Sequence, residues 1–253
     1  EIIEKYSNKK LYKNEFGLGM NPEFLREGSA IKDFIQADRI VIGYEDIKTR
    51  DLIKKIYKKW KCEKILVNTR TAEMIKYANN SLLALQISAV NEIANISSSI
   101  GNININNVIK GVKTDKRWSP VINKKRIYPG ILKYMDPGPG FGGSCFPKDL
   151  ENFVNLGKEY KISTKLFKEV ININDNQPKK IINYIEKNIC KFSNKKVLIL
   201  GLSFKPNTDD IRESVSIKII NLIKNKKNIK IYAHDPVAIK NAANKMKFTS
   251  FAL

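Results

Sequence analysis

The sequence predicts an α/β protein with strand–helix–strand units toward both ends and an all-helical middle. Three observations carry that reading. Apolar β-type runs bracket helical patterns near residues 39–67 and again near 196–233, and the stretch from Thr71 to Ile100 contains neither Gly nor Pro. With 253 residues, of which 42% are hydrophobic, the chain is long enough to bury the cores of two ordinary domains.

The elements follow in order. Arg39–Gly43 reads as a buried strand, Ile47–Trp60 as a helix with apolar Leu52, Ile53, Ile56 and Tyr57, and Lys64–Val67 as a second strand. Thr71 is an N-cap type, and Ile75, Leu82, Leu85, Ala89, Ile93, Ile96 and Ile100 recur at helical spacing until Gly101 closes the run. Such a helix would be about 45 Å long. A short helix from about Asn104 to Lys110 precedes a largely irregular stretch, Lys113–Ser144, rich in Pro and Gly. A helix is expected after Pro147 (Leu150, Phe153, Val154), with a pause near Gly157. It resumes from about Thr164 toward Ile189, with Pro178 as a break or kink. Lys196–Gly201, Glu213–Ile223 and Ile229–Ala233 then read as strand, helix and strand, and His234, the one histidine, as a turn residue.

Forty-six Lys plus Arg against 25 Asp plus Glu give a net charge of +21. A basic nucleic-acid-binding module is one reading of that charge. The lysines are spread along the whole chain rather than clustered, which favours a solvated, compositionally biased surface and no nucleic-acid partner. Cys62, Cys145 and Cys190 are odd in number, widely spaced and without a C-x-x-C, so neither a disulfide framework nor a metal site is expected and a reducing cytoplasm is. No run approaches the roughly 20 apolar residues of a membrane span. Cys62 and Cys190 read as small buried fillers.

Residues 138–150, GPGFGGSCFPKDL, match G-x-G-x-x-G at Gly138, Gly140 and Gly143. A dinucleotide fingerprint needs a strand leading into the first glycine, and Pro137 and Pro139 cannot donate to a central ladder, so the match is expected to be false. The cysteine is the better signal. Pro147 at the first helical position would place Cys145 just outside a helix start, facing unpaired N–H groups that stabilise a thiolate, with Lys148 and Asp149 beside it.

Four blocks then resemble the UDP-glucose dehydrogenase family of nucleotide-sugar dehydrogenases: Asn21–Ala30, Glu73–Asn80, Gly138–Leu150 and Gly201–Ser214. The resemblance implies a partial Rossmann-like N-terminal domain (residues 1–70), a central all-α dimerisation and catalytic region with a long helix (71–190), and a partial Rossmann-like domain binding the UDP-sugar (191–253). It implies an NAD-dependent, four-electron oxidation of UDP-glucose to UDP-glucuronate. By position Cys145 is the nucleophile, holding the sugar first as a thiohemiacetal and then as a thioester.

Lys76 and Asn80, four apart on the long helix, match the family's donors to the oxygen on the reacting carbon. Without the resemblance they read equally well as a solvated lysine and an interface asparagine. Glu23 and Glu27, also four apart, match positions for hydrolysis and for the substrate and cofactor region; otherwise they read as a helix-surface pair. Asp149 matches a carboxylate that orders the lysine and a catalytic water. Phe24, Leu25, Arg126, Tyr134, Gly142, Phe204 and Lys205 are implied substrate contacts, and Glu27, Lys148 and Arg212 cofactor contacts. The spacing from Arg126 to Tyr134 is a few residues longer than the family's. The family's N-terminal strand–turn–helix with its glycine fingerprint, and a water-activating threonine, have no counterpart, so an inactive fragment of a longer homodimeric enzyme is expected. GDP-mannose or UDP-N-acetylmannosamine oxidation, and a non-catalytic remnant, stay open as alternatives.

Overall fold

The computed structural model describes residues 2–11 and 15–245. It is a mixed α/β chain with sheets of parallel strands toward both ends and helices between them. Two compact units divide at Asn79/Asn80.

In the first unit, helix α1 (Ile2–Ser7) and strand β1 (Gly19–Met20) are followed by α2 (Ala30–Ile35), β2 (Arg39–Tyr44), α3 (Ile47–Ile56) and β3 (Glu63–Val67). β2 and β3 pair in parallel from Arg39↔Glu63 to Gly43↔Val67, and β1 adds antiparallel to the other edge of β2. As the central strand, β2 carries most of the unit's buried apolar residues: Ile40, Val41 and Ile42 are at most 5% exposed. α3 begins where the Asp46 carboxylate accepts the Thr49 N–H at 2.8 Å, an N-cap bond. It ends four residues short of the expected Trp60, whose ring instead joins Phe34 and Tyr57 in edge-to-face contacts. In the first turn of α2, Asp33 accepts from the guanidinium and the backbone N–H of Arg26, and those bonds hold its carboxyl well below the usual carboxylate range.

The long helix exists as read from the sequence. α4 runs Thr69–Ile100, two residues earlier than expected, and its 32 residues span about 48 Å. α5 (Ile105–Lys113) is capped by Asn104 and ends three residues later than expected. The stretch read as irregular contains a short hairpin, β4 (Val121–Ile122) with β5 (Lys125–Arg126), and a 3-10 helix at Gly130–Met135. α6 (Cys145–Glu159) passes through Gly157 without a break. α7 (Lys165–Asn188) likewise continues through Pro178, which is buried inside it.

β6 (Lys196–Leu200), α8 (Val215–Ile223) and β7 (Lys230–His234) form the expected second β–α–β unit, its strands parallel from Lys196↔Lys230 to Leu200↔His234, and α9 (Ile239–Lys245) follows. Leu202, Ile217, Ile220, Ala233 and Ala238 make its core. His234 is the last residue of β7 rather than a turn residue, because its carbonyl still accepts the Gly201 N–H at 2.8 Å. Cys190 is exposed, not a buried filler, since it follows the end of α7; Cys62 is half-buried.

Asp235, 4% exposed, ties the strand ends together. Its carboxylate accepts the backbone N–H groups of Leu202 (2.7 Å), Ser203 (3.1 Å), Val237 (2.8 Å) and Ala238 (2.7 Å). Burial opposes ionisation, but these N–H bonds outweigh it and hold the carboxyl well below its ordinary value. A depressed carboxylate stabilises the fold above its unfolded value of about 3.9, and that contribution is lost as pH falls from there through the folded value. Asp235→Ala, which strands several buried donors, is therefore expected to cost about 1–3 kcal/mol at pH 7. Thermal melts from pH 7 to 3 should show a shallower acid loss below pH ~4 in the variant than in the parent.

Candidate active site

The candidate residues fall into two groups, one in each unit. In the first, Asn21–Gly28 is an irregular connection ahead of α2, fixed to the sheet by Asn21, whose Nδ2 donates to the Val41 carbonyl at 2.7 Å. Glu23 and Glu27 are therefore not a helix-surface pair, because no helix passes through them. The Lys76 Nζ donates to the Glu23 carbonyl at 3.0 Å and ion-pairs with its carboxylate. Two groups expected to share a reaction, Glu23 and Lys76, thus meet. Phe24 lies under the Arg39 guanidinium, 4.0 Å from its ring centre, a cation–π contact. Glu23, Phe24 and Leu25 line a cavity of about 240 Å³ with Arg26, Arg39 and Trp60.

In the second unit the opening of α6 organises the site. Cys145 is the first helical residue, with its side chain exposed and free, so the helix begins two residues earlier than the sequence suggested. Pro147 sits at the third position. It costs no hydrogen bond there, because first-turn N–H groups have no acceptor within the helix. One turn after Cys145, Asp149 is 1% exposed; its Oδ2 accepts from Asn80 Nδ2 of α4 at 2.6 Å, and Lys148 Nζ lies 3.6 Å from Oδ1. Cys145 and Asp149 thus stand one turn apart on α6, with Asn80 reaching the carboxylate from α4.

The loop entering α6 packs against residues 204–213. Gly143, at φ +79°, donates its N–H to the Arg212 carbonyl at 2.9 Å, and a Cβ there would lie 2.7 Å from the Phe204 ring, so both conformation and space select glycine. Gly142 is buried against the Glu213 backbone. Lys205 sits 5.2 Å from the Phe204 ring centre. Arg212 forks onto Asp210, with Nη2 2.7 Å and Nε 2.9 Å from Oδ2. Lys148 and Arg212, both expected to meet a cofactor, line one cavity of about 400 Å³ together with Gly143, Ser144, Glu213 and Lys218.

Tyr134 contacts Phe146 at 6.2 Å between ring centres. The Arg126 Nη1 donates to the carbonyls of Thr114 (2.7 Å) and Ser119 (2.8 Å) and to the Ser119 hydroxyl (2.9 Å), all within its own hairpin region. As expected, the glycine pattern forms no dinucleotide cradle, because the residues before Gly138 are a 3-10 helix and bends rather than a strand.

Sequence reasoning missed Asn91, Asn174 and Gln177, buried amides that bond the backbone of Gly138 and Phe141. A signal was present: Val170, Asn174, Gln177, Pro178 and Ile182 form the buried stripe of α7, and two of its five positions are polar. Among the described residues, no cluster of His, Cys, Asp or Glu could hold a metal ion, and no helix is long and apolar enough to cross a membrane.

Three blocks match the UDP-glucose/GDP-mannose dehydrogenase family: its NAD binding domain over residues 1–61, its central domain over 70–176 and its UDP binding domain over 198–252. The chain is 36% identical over 236 residues to a UDP-glucose 6-dehydrogenase of Rickettsia felis, covering 92% of this chain and 50% of that one. It is 39% identical over 222 residues to the Bacillus subtilis UDP-glucose 6-dehydrogenase YwqF, covering 88% and 47%. Among solved structures, a UDP-glucose dehydrogenase from Pyrobaculum islandicum superposes with a TM-score of 0.83 at 35% identity, covering 94% of this chain and 52% of that one. A UDP-D-ManNAc dehydrogenase from Pyrococcus horikoshii gives 0.75 at 25%, covering 93% and 55%. The chain spans about half the length of the curated relatives it matches. With its matched blocks in family order from end to end, the chain belongs to the UDP-glucose/GDP-mannose dehydrogenase family.

Proposed function

We propose that the full-length protein containing this chain oxidises the C6 alcohol of UDP-glucose to the carboxylate of UDP-glucuronate, with NAD as oxidant. Residues 1–70 would serve the NAD-binding domain, 71–190 the dimerisation and catalytic region, and 191–253 the UDP-sugar domain. The observation that carries this reading is the exposed Cys145 sulfur at the opening of α6, one turn ahead of a buried carboxylate held by Asn80.

NAD, when bound, supplies acceptance of hydride, once at the alcohol and once more at the sulfur adduct. Everything else falls to the chain. The alcohol gives up a hydride and a proton to become an aldehyde. The Cys145 thiolate adds to the aldehyde carbon, forming a C–S bond, and the oxygen takes a proton to give a thiohemiacetal. Loss of a second hydride and a proton leaves a thioester. Water adds to its carbonyl, the C–S bond breaks, and the thiolate returns as the carboxylate leaves.

Lys76 and Asn80 hold the oxygen on the reacting carbon as charge gathers there. Glu23, paired with Lys76, draws the proton from the attacking water, and Asp149 orders that water and the donors around it. Phe24, Leu25, Tyr134, Gly142, Phe204 and Lys205 bind the UDP-sugar, and Arg126 reaches it in a homodimer. The cavity shared by Lys148 and Arg212 offers cationic donors of the kind a dinucleotide needs, beside the carboxylates of Glu151, Asp175 and Glu213, while no described glycine run forms a phosphate cradle. Lys148, Arg212 and Glu27 would hold the cofactor.

Leu82, Ile93, Ile96 and Ile100 expose an apolar stripe on α4, which supports pairing of two copies through that helix. The three free cysteines suit a cytoplasmic location. A second reading, oxidation of UDP-N-acetylmannosamine, is favoured by the likeness to the Pyrococcus horikoshii structure.

Cys145→Ser in the full-length protein is expected to bring acid formation to background; unchanged acid output, read as uronate released, would refute covalent catalysis. Lys76→Ala is expected to lower kcat by about 10²–10³-fold with a much smaller change in KM. Steady-state kinetics showing a change in KM alone would make Lys76 a substrate anchor. In thermal-shift titrations UDP-glucose is expected to raise Tm more than UDP-N-acetylmannosamine or GDP-mannose, and the reverse order would favour the second reading.

A further inference from the structure

We propose that Asn174 and Gln177 of α7 are positioning residues for Cys145, gripping the loop that delivers its sulfur to the opening of α6. The inference rests on the reading of Cys145 as the reacting group. Residues 138–144 form neither helix nor strand, so their backbone polar groups need partners from elsewhere.

Two of these residues are held at both ends of their own backbone by side-chain amides. The Phe141 N–H donates to Asn174 Oδ1 at 2.7 Å, and its carbonyl accepts from Asn174 Nδ2 at 3.1 Å. The Gly138 N–H donates to Asn91 Oδ1 at 2.8 Å, and its carbonyl accepts from Gln177 Nε2 at 3.1 Å. Gln177 is itself oriented by Asn95 of α4, whose Nδ2 donates to its Oε1 at 3.0 Å.

The grip is specific rather than incidental. Asn174 is 6% exposed and Gln177 5%, and amides this dry are costly unless bonded. Gly140, between the two gripped residues, has φ +105°, and a Cβ there would stand 2.6 Å from Asn174 Oδ1. That glycine admits both the turn and the amide. The far flank is fixed by the Gly143 bond to the Arg212 carbonyl, two residues before Cys145. α7 therefore sets where the chain enters α6, and with it where the sulfur stands relative to the first-turn N–H groups.

The test uses this chain with Cys62→Ser and Cys190→Ser, so that Cys145 is the one reactive thiol. Iodoacetamide alkylation rate and Tm are measured for Asn174→Ala, Asn174→Asp, Gln177→Ala and a control, Ile182→Val, which trims the α7 core away from the loop. Asn174→Ala and Gln177→Ala are expected to slow alkylation about tenfold as the sulfur leaves the helix start. Asn174→Asp, which keeps the acceptor for the Phe141 N–H, should fall between, and Ile182→Val should lower Tm with the rate within about twofold of the parent. Lowered Tm with unaltered rates in the loop variants would overturn the proposal and leave the amides merely structural. Should Asn174→Ala fail to fold, Asn174→Asp and Gln177→Ala decide the same comparison. Alkylation requires neither sugar nor NAD, so an unaltered rate sinks this inference alone, whereas uronate formation by full-length Cys145→Ser sinks the catalytic reading alone.

Discussion

A part-buried loop without a ladder is the constraint on which the second unit's candidate site depends. Residues 138–144 carry donors and acceptors that no strand pairs, and at the buried positions Phe141, Gly142 and Gly143 each unmet group would cost about 1–3 kcal/mol. Asn91 on α4, Asn174 and Gln177 on α7, and the Arg212 carbonyl supply partners for them. Because three of those partners sit on long helices, the loop inherits helix rigidity while keeping the irregular path that ends at Cys145. Packing reinforces it: Phe141 is buried with Ala84, Leu150 and Val170 and meets Phe146 edge to face at 5.8 Å.

The same device recurs at the C-terminal sheet with a charge in place of an amide. Asp235 collects N–H groups from both strand ends, Leu202 and Ser203 after β6 and Val237 and Ala238 after β7. A two-stranded sheet has few ladder bonds, so its register leans on such local clamps and on the Leu202–Ile220–Ala233 core beneath. In the first unit a carboxylate clamp lies not at the strand ends but on α2, where Asp33 collects the Arg26 backbone N–H and guanidinium and the Ser29 hydroxyl. In that unit Ile40, Val41 and Ile42 of the central strand carry most of the apolar burial, and the Lys76–Glu23 pair is a side-chain bond at the unit's surface.

The periodic parts of the fold were legible in the sequence, and the aperiodic parts were not, for a physical reason. α4 announces itself by thirty residues of uninterrupted spacing, and β2, β3, β6 and β7 by apolar runs, because burial acts on a whole face at once. α6 starts two residues before Pro147, the residue type favoured at the first helical position, because the first turn tolerates proline anywhere that lacks an intrahelical acceptor. The hairpin at β4 and β5 escaped because two-residue strands carry no period to read. Among the candidate site residues, Cys145, Asp149, Lys76 and Asn80 could be named from motif blocks, but their partners could not. That Asn80 bonds Asp149 and Lys76 bonds Glu23 depends on contacts 69 and 53 residues apart in the chain, which no local pattern encodes.

The two-stage oxidation we propose would make a special demand on such a site. An aldehyde free to leave would be lost between stages, and a covalent C–S bond removes that escape only if the sulfur keeps its place as the adduct changes from thiohemiacetal to thioester. Misplacement by about 1 Å can cost about a hundredfold in rate. A sulfur on a solvated loop would sample displacements of that size freely. One at the first residue of a helix, entered through a loop whose Gly138 and Phe141 are each bonded at both N–H and C=O, does not. Exposure of the side chain and rigidity of its backbone are thus separate properties, and the fold supplies the second without giving up the first.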